Sequence, residues 1–444
     1  MPWTDRPPPK GDGAAGHVEA PRTVSGRRRR PLLNTLMLVG GTGIGQTLML
    51  LSLPLLTRLF TPAEFGAMAV FLAIVVPLAT VSGLRYDMAI PVADDDGEAR
   101  SLLWAALAFT ALLAALLVAV LLLIGPRLGH LLNVSDVISW WWLLPLSVGL
   151  SGAYNALSFA AIRNKTYGAL SASRAMQGIG QVGTQVTLGF LGAGVEGLLL
   201  GIVARFGASA LTLVRRPRAR AGSAPVDRRD VRQAVRKYRR FPIFMGNASL
   251  LTALSQHLPS LALAVLYGPA IAGLFSLSIR ALEAPVTLVA QMSAQVYYGN
   301  LSEAARSEPA RMRAIFRTTV TGLAAVGVVP FLLFLFGPQL FPLLFGSAWS
   351  EAGAFARILA FTFLVRFLAR GVGSETLAVT GRYGTQLWLE GARVAGIGLA
   401  FGLAAVADLT STTTVILYAA VMAVAHLLTL AASSRALREV PEPT

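Results

Sequence analysis

Residues 215–240 read Arg-Arg-Pro-Arg-Ala-Arg-Ala-Gly-Ser-Ala-Pro-Val-Asp-Arg-Arg-Asp-Val-Arg-Gln-Ala-Val-Arg-Lys-Tyr-Arg-Arg. This stretch holds ten arginines and one lysine and no long apolar run, and nearly two hundred mostly apolar residues lie on each side of it. A segment this charged cannot enter hydrocarbon, because one arginine at the bilayer centre already costs about 2.5–3.5 kcal/mol. It is expected to be a loop in water. Cytoplasmic loops carry the excess of lysine and arginine, so it is expected on the cytoplasmic side. A basic run is also the footprint of nucleic-acid binding. Here both flanks enter the membrane, so a topology signal with attraction to anionic lipid is the better account, and no nucleic-acid partner is expected.

The composition outside this loop agrees. The 444-residue chain is 55% hydrophobic and 14% charged, with a mean hydropathy of +0.62, against about 25% charged for an ordinary soluble domain. The expected fold class is all-α, a polytopic membrane protein. At about 20 apolar residues per span, twelve transmembrane helices are predicted. In the first half they cover 34–56, 65–84, 102–124, 138–162, 167–191 and 195–214. In the second they cover 241–267, 270–296, 315–336, 353–368 with a tilted entry from 341, 385–406 and 413–433. The chain divides into a disordered basic cytoplasmic tail (1–33), an N-lobe (34–214), the basic loop (215–240), a C-lobe (241–434) and a second cytoplasmic tail (435–444). Residues 1–33 lack the apolar core of a secretory signal.

Charge tests this layout. The inner loops would hold Arg85, Arg100, Arg163, Lys165, Arg306, Arg311, Arg313, Arg317, Arg370, Arg382, Arg435 and Arg438, and the outer loops only Arg58 and Arg127. A miscount of one span would invert every later loop, so the persistent asymmetry supports an even number of spans with both termini cytoplasmic.

The two halves look duplicated. Leu59-Phe60-Thr61-Pro62-Ala63-Glu64-Phe65-Gly66 and Leu266-Tyr267-Gly268-Pro269-Ala270-Ile271-Ala272-Gly273 both occupy the turn between the first two spans of their half, 207 residues apart. Each is followed by a mid-span proline, Pro77 and Pro285. Six spans per repeat make the repeats parallel, related by an axis along the membrane normal. No outer loop exceeds about fifteen residues, and the central loop is too short to bury a core of its own, which leaves no room for a soluble catalytic domain.

Polar residues inside spans face a bundle interior or water, not lipid. On the fifth span Arg174, Gln177, Gln181 and Gln185 recur at three- and four-residue steps and share one face. Arg205, Gln256, His257, Arg280, Glu283, Arg366, Glu390 and Arg393 lie in other spans, with Arg58, Arg85 and Asp87 at span ends. Glu283–Arg280 and Glu390–Arg393 have the spacing of local ion pairs. The positive excess in both halves predicts a hydrated cationic central cavity, and arginine suits phosphate because its planar fork donates two parallel hydrogen bonds and stays charged. The expected anion-binding set is Arg58, Arg85, Arg174, Arg205, Arg280 and Arg366, with Gln177, Gln181 and Gln256 for sugar hydroxyls. Asp87, Glu283, Glu390 and His257 are the candidates for coupling to an ion gradient.

Weaker signals favour structure over chemistry. Gly40-Gly41-Thr42-Gly43-Ile44-Gly45 lacks the lysine of a phosphate loop and lies within a span, which suits close helix packing. Asp94-Asp95-Asp96-Gly97-Glu98 stands without a second acidic motif and suits a helix N-terminus better than a metal–diphosphate site. There is no cysteine, and His17, His130, His257 and His426 have no metal-ligand spacing. His426 reads as a packed core residue. No metal or cofactor is expected.

The stretch Leu55-Leu56-Thr57-Arg58-Leu59-Phe60-Thr61-Pro62-Ala63-Glu64-Phe65-Gly66 resembles the outer turn of bacterial polysaccharide flippases of the Wzx type. So do Leu84-Arg85-Tyr86-Asp87-Met88-Ala89-Ile90-Pro91 with the acidic stretch that follows, and Gln295-Val296-Tyr297-Tyr298. These flippases belong to the multidrug/oligosaccharidyl-lipid/polysaccharide exporter superfamily, and the resemblance covers roughly residues 34–434. It implies two six-helix lobes around a central cavity and alternating access in the bacterial cytoplasmic membrane. It also implies a polyprenyl-diphosphate-linked oligosaccharide as substrate, a unit of O-antigen, capsule or exopolysaccharide. Related lipid flippases hold the diphosphate with cavity arginines, and Arg58 and Arg85 occupy comparable places. The expectation is a non-enzymatic monomer in contact with membrane lipids. Its pathway partners would be a polymerase and a chain-length regulator. The alternatives are a drug or cation antiporter of the same superfamily, which calls for an acidic, aromatic cavity, and a membrane glycosyltransferase.

Overall fold

The computed structural model of the protein describes residues 29–131, 140–215, 227–308 and 310–439, and among these it is built of α-helices. The first half contains α1 (Arg29–Leu59), α2 (Pro62–Val81), α3 (Asp96–Leu131), α4 (Leu143–Arg163), α5 (Tyr167–Phe190) and α6 (Gly194–Arg215). A short α7 (Arg228–Lys237) leads to α8 (Arg240–Tyr267) and α9 (Pro269–Ser307). Then come α10 (Arg311–Leu335), a short α11 (Gly337–Phe345), α12 (Ser350–Val379), α13 (Tyr383–Val406) and α14 (Ser411–Arg438). Among the described residues nine stretches are long and apolar enough to cross a membrane, so the chain is a multi-pass membrane protein. The α5 helix is not one of the nine. Arg174, Gln177, Gln181 and Gln185 lower its hydropathy, and its length matches its neighbours because it packs between α1 and α6.

Two segments depart from expectation. The basic stretch is not wholly a loop: Asp227 caps α7, its carboxylate accepting from the Arg229 amide at 3.3 Å. Residues 1–28, 216–226 and 440–444 of the expected tails and loop lie outside the described residues. The tenth span is a broken unit. Its α11 ends at Gly346, whose φ of 99° reverses the chain, and α12 runs eleven residues beyond the expected stop at 368. Arg370 therefore belongs to a helix within the bundle and not to a loop.

In lipid, helices gain little from apolar burial alone, and close packing at small residues takes over. The glycines of α1 do this on α5. A Cβ on Gly41 would lie 2.2 Å from the Ser171 carbonyl oxygen, and one on Gly45 would lie 2.7 Å from that of Arg174. From the other side, a Cβ on Gly178 would lie 2.6 Å from the Gly45 oxygen.

The two halves meet where α2 packs on α8 and α9. The two similar turns touch each other reciprocally. A Cβ on Gly66 would stand 1.7 Å from the Pro269 oxygen, and a Cβ on Gly273 would stand 1.8 Å from the Pro62 oxygen. The α2 start is fixed by a capping box. Thr61 accepts from the Glu64 amide at 3.3 Å, the Glu64 carboxylate accepts from the Thr61 amide at 2.6 Å, and proline takes the first helical position. Beside it the Trp349 indole donates to the Thr57 carbonyl at 3.0 Å and meets the Phe65 ring edge-on at 5.0 Å. Phe65, Met68, Phe71, Phe275, Trp349 and Phe355 form one core that straddles both halves. This end of the bundle is closed.

The opposite end carries α7. After α2 the backbone turns through left-handed Leu84 (φ 47°) and Arg85 (φ 59°) into a 3-10 segment, Tyr86–Val92. Arg163 from the end of α4 holds that segment, donating to the carbonyls of Ile90 (3.1 Å) and Ala93 (2.8 Å) and pairing with Asp96 at 3.0 Å. The acidic stretch is engaged by the basic helix. Lys237 pairs with Asp94 at 2.9 Å and with Glu98, and the Tyr238 hydroxyl donates to Glu98 at 3.0 Å. The hydrogen bond to Glu98, then that to Asp94, raises the Lys237 pKa above the ordinary lysine value.

Candidate functional site

A cavity of about 630 Å³ opens between the two halves, walled by α1, α2, α5, α6, α8, α9, α12, α13 and α14. Its charged wall residues are Arg205, Arg280, Arg366, Arg370 and Arg393 against Glu283 and Glu390, with His257 and His426 beside them. Five arginines face two carboxylates, so the cavity is cationic. These residues lie inside the bundle at graded depths. At 1.5 Å per residue from the closed end, Arg280 lies about 16 Å into α9, Arg205 about 16 Å into α6, Arg366 about 24 Å into α12 and Arg370 about 30 Å into it. They run from the middle of a bilayer about 30 Å thick toward its far face, and only access to water makes such guanidinium groups tolerable there.

The arginines are held by identifiable contacts. Arg366 on α12 forms an ion pair with Glu283 on α9 at 2.6 Å and lies over the Phe363 ring at 5.2 Å. Arg393 pairs with Glu390 one turn earlier on α13 at 3.1 Å. Arg205 donates to the Gln181 side chain across α5 and α6 at 3.4 Å and lies over Phe206 at 5.5 Å. Several polar atoms facing this region make no protein hydrogen bond: Gln46 Oε1, Arg205 Nε, Arg393 Nε and His426 Nε2. Buried polar atoms without partners are uncommon, and these four belong to residues that line the cavity.

Of the sequence-predicted set, the cavity wall gathers Arg205, Arg280, Arg366, Gln181, Gln256, Glu283, Glu390 and His257. It does not include Arg58, Arg85, Arg174, Gln177 or Asp87. Arg58 is exposed on the last turn of α1. Arg85 follows the left-handed turn out of α2 and binds the Ser249 hydroxyl of α8 and the Thr80 carbonyl, tying the halves together at the α7 end. Asp87 is buried in the 3-10 segment near Arg85, one carboxylate oxygen without a hydrogen-bond partner. Arg174 and Gln177 lie on the part of α5 where the glycines of α1 pack, below the cavity. The expected Glu283–Arg280 pair is replaced by Glu283–Arg366, because α12 presents its guanidinium to α9 across a tight helix contact. Residues outside the predicted set that line the cavity are Gln46, Gln185, Arg370, Gln386, Arg393 and His426. Arg370 was placed in a loop by the early end predicted for its span. Gln185 continues the α5 polar stripe and is anchored by donating to the Leu198 carbonyl at 3.1 Å.

The pattern that defines the polysaccharide biosynthesis protein family matches residues 55–354, which spans both repeated turns, the Arg85 segment and half of the cavity wall. The chain belongs to this family. The three stretches that resemble Wzx-type flippases all fall at or within the matched residues. A similar curated protein is the succinoglycan biosynthesis transport protein ExoT of Rhizobium meliloti (strain 1021), 26% identical over 322 residues, which are 70% of this chain and 61% of that protein. The chain thus spans under two thirds of that relative's length. Solved structures share the fold. One is an inward-facing multidrug resistance MATE family transporter, with a TM-score of 0.66 at 16% identity, covering 92% of this chain and 95% of that one. An outward-facing MATE transporter aligns with a TM-score of 0.55 at 15% identity over 93% and 97% of the two chains.

Proposed function

We propose that this protein moves a polyprenyl-diphosphate-linked oligosaccharide across the bacterial cytoplasmic membrane by alternating access, without catalysing a covalent step. The carrying observation is the cavity between the two halves with five arginines and two glutamates. An anionic head group with sugars matches that charge, and its lipid tail would stay in the bilayer while the head crosses. The twelve long helices among the described residues would form two six-helix lobes in parallel repeat. Support comes from the even charge alternation of the loops and from the reciprocal Gly66–Pro269 and Gly273–Pro62 contacts. The α7 end and both termini face the cytoplasm. The closed end is then extracytoplasmic, so this conformation presents the cavity to the inner leaflet.

The fold shared with multidrug transporters favours a second reading, export of a drug or cation. The surplus of guanidinium groups opposes it, because a cation entering this cavity would meet like charge. The test is the leaflet distribution of the lipid-linked oligosaccharide in a deletion strain, read with a membrane-impermeant label on spheroplasts. Inner-leaflet accumulation reversed by the intact gene, and not by an Arg366→Gln, Arg370→Gln double variant, supports the proposal. An unchanged distribution together with drug sensitivity of the deletion strain supports the antiporter.

A further inference from the structure

The cavity wall is chemically divided. All but one of its charged residues come from the second half: Arg280 and Glu283 on α9, Arg366 and Arg370 on α12, Glu390 and Arg393 on α13. The facing wall is polar and nearly uncharged. Gln46, Ser52, Gln181 and Gln185 lie beside Met49, Leu50 and Leu53, and Arg205 is its one charge. Both walls stand at the same depth. Gln46 lies about 20 Å from the end of α1 and Arg393 about 20 Å from the end of α13, both ends on the closed side.

Within the charged wall each of the two carboxylates pairs with one guanidinium nitrogen, Glu283 with Arg366 and Glu390 with Arg393. The Glu283 side chain is 35% accessible, while its partner Arg366 is 14% accessible, so the pair can be reached from the cavity on the carboxylate side. A carboxylate on an arginine fork has the geometry that a phosphate oxygen pair would take, and phosphate competes for the same donors. Arg280 is one turn from Glu283, and Arg370 is one turn from Arg366. Displacing Glu283 therefore exposes three guanidinium groups on two adjacent helices.

We infer that the diphosphate binds on the α9–α12–α13 wall by displacing Glu283 from Arg366, while the glutamine wall of α1 and α5 receives the first sugars. This assignment rests on the proposed function and divides its single cavity into two subsites with different chemistry. Glu283 acts as an internal stand-in for the phosphate. It keeps the site neutral enough to close when empty, and it competes with the substrate for release.

The test uses the full chain in nanodiscs with farnesyl diphosphate, which carries the diphosphate without sugars, and with farnesol as the control. Wild type binds farnesyl diphosphate over farnesol. Arg370→Gln, which breaks no ion pair seen in the structure, and Arg366→Gln weaken that binding at least about tenfold, the range for losing a charge-assisted hydrogen bond. Glu283→Gln strengthens it severalfold, a gain that a merely structural role for the pair would not produce. Gln46→Ala leaves farnesyl diphosphate affinity in place and lowers affinity only for a glycosylated diphosphate lipid. Loss of farnesyl diphosphate binding in Gln46→Ala with retention in Arg366→Gln and Arg370→Gln overturns the subsite assignment and leaves the flippase reading standing. Wild type that does not distinguish farnesyl diphosphate from farnesol overturns the flippase reading and this assignment with it.

Discussion

Gly66→Ala tests alternating access through a single methyl group. The added Cβ would stand 1.7 Å from the Pro269 carbonyl oxygen, and Pro269 is backbone at the first turn of α9, which cannot rotate aside. Ordinary contact needs at least about 3 Å, so the starts of α2 and α9 must part by more than about 1 Å. Overpacking of this kind costs about 1–3 kcal/mol. Here it falls only on the conformation in which the two turns touch. Alternating access supplies a second conformation in which they separate, so the cost becomes a population shift of roughly 5- to 150-fold toward it. The chain has no cysteine, which gives a clean background for labelling. Spin labels on Ala63→Cys and Ala270→Cys, both exposed beside the contact, report the separation. The Gly66→Ala variant is expected to show a longer distance population that wild type lacks, with slowed transport. Gly273→Ala, the reciprocal site, should do the same. An unchanged distance distribution with unchanged transport would refute the closed end as a gate.

Other outcomes follow from the same contacts. Trp349→Ala removes a fully buried indole, its hydrogen bond to Thr57 and its contact with Phe65, and is expected to cost about 3–5 kcal/mol, read as a lowered Tm in detergent. Gln185→Ala removes the side-chain donor to the Leu198 carbonyl and should cost about 0.5–1.5 kcal/mol by the same measurement. Lys237→Met releases α7 from Asp94 and Glu98 and should speed tryptic cleavage after Arg232 and Arg236. The Lys237 pKa is raised in the folded chain, so its contribution is complete below the ordinary lysine value and is lost only as pH climbs through the raised one. Lysine-dependent protection of α7 should therefore be flat from pH 6 to 9, and loss of protection at pH 8 would contradict the pairing.

Much of the fold was legible because lipid imposes simple rules. Apolar length marked the long helices, α5 included, although its polar stripe keeps α5 out of the nine most apolar stretches among the described residues. The glycine run of α1 was legible as packing, and Gly41 and Gly45 lie on α5. The site was legible by type and less so by position. Arg205, Arg280 and Arg366 line the cavity, as charge inside a span that must face water. Arg85 lies off the cavity wall because the chain leaves α2 through a left-handed turn at Leu84 and Arg85 that no side-chain pattern announces. Arg370 was misplaced because the α12 helix runs past the last strongly apolar residues. The Glu283–Arg366 pair joins residues 83 positions apart on different helices, and sequence spacing offers only the local alternative, Arg280. The acidic residues Asp94–Glu98 lie at a helix start as expected, but the chain partner that engages them, Lys237, comes from the stretch that looked like a loop.

The most direct test is reconstitution. Purified protein in liposomes would be given a fluorescent prenyl-diphosphate disaccharide, and an impermeant quencher would report the fraction on each leaflet over time. The account predicts that wild type equilibrates the lipid between leaflets far faster than empty liposomes, and that Arg366→Gln, Arg370→Gln liposomes behave like empty ones. Equal rates with and without the wild-type protein, in preparations whose thermal unfolding shows an intact fold, would contradict it.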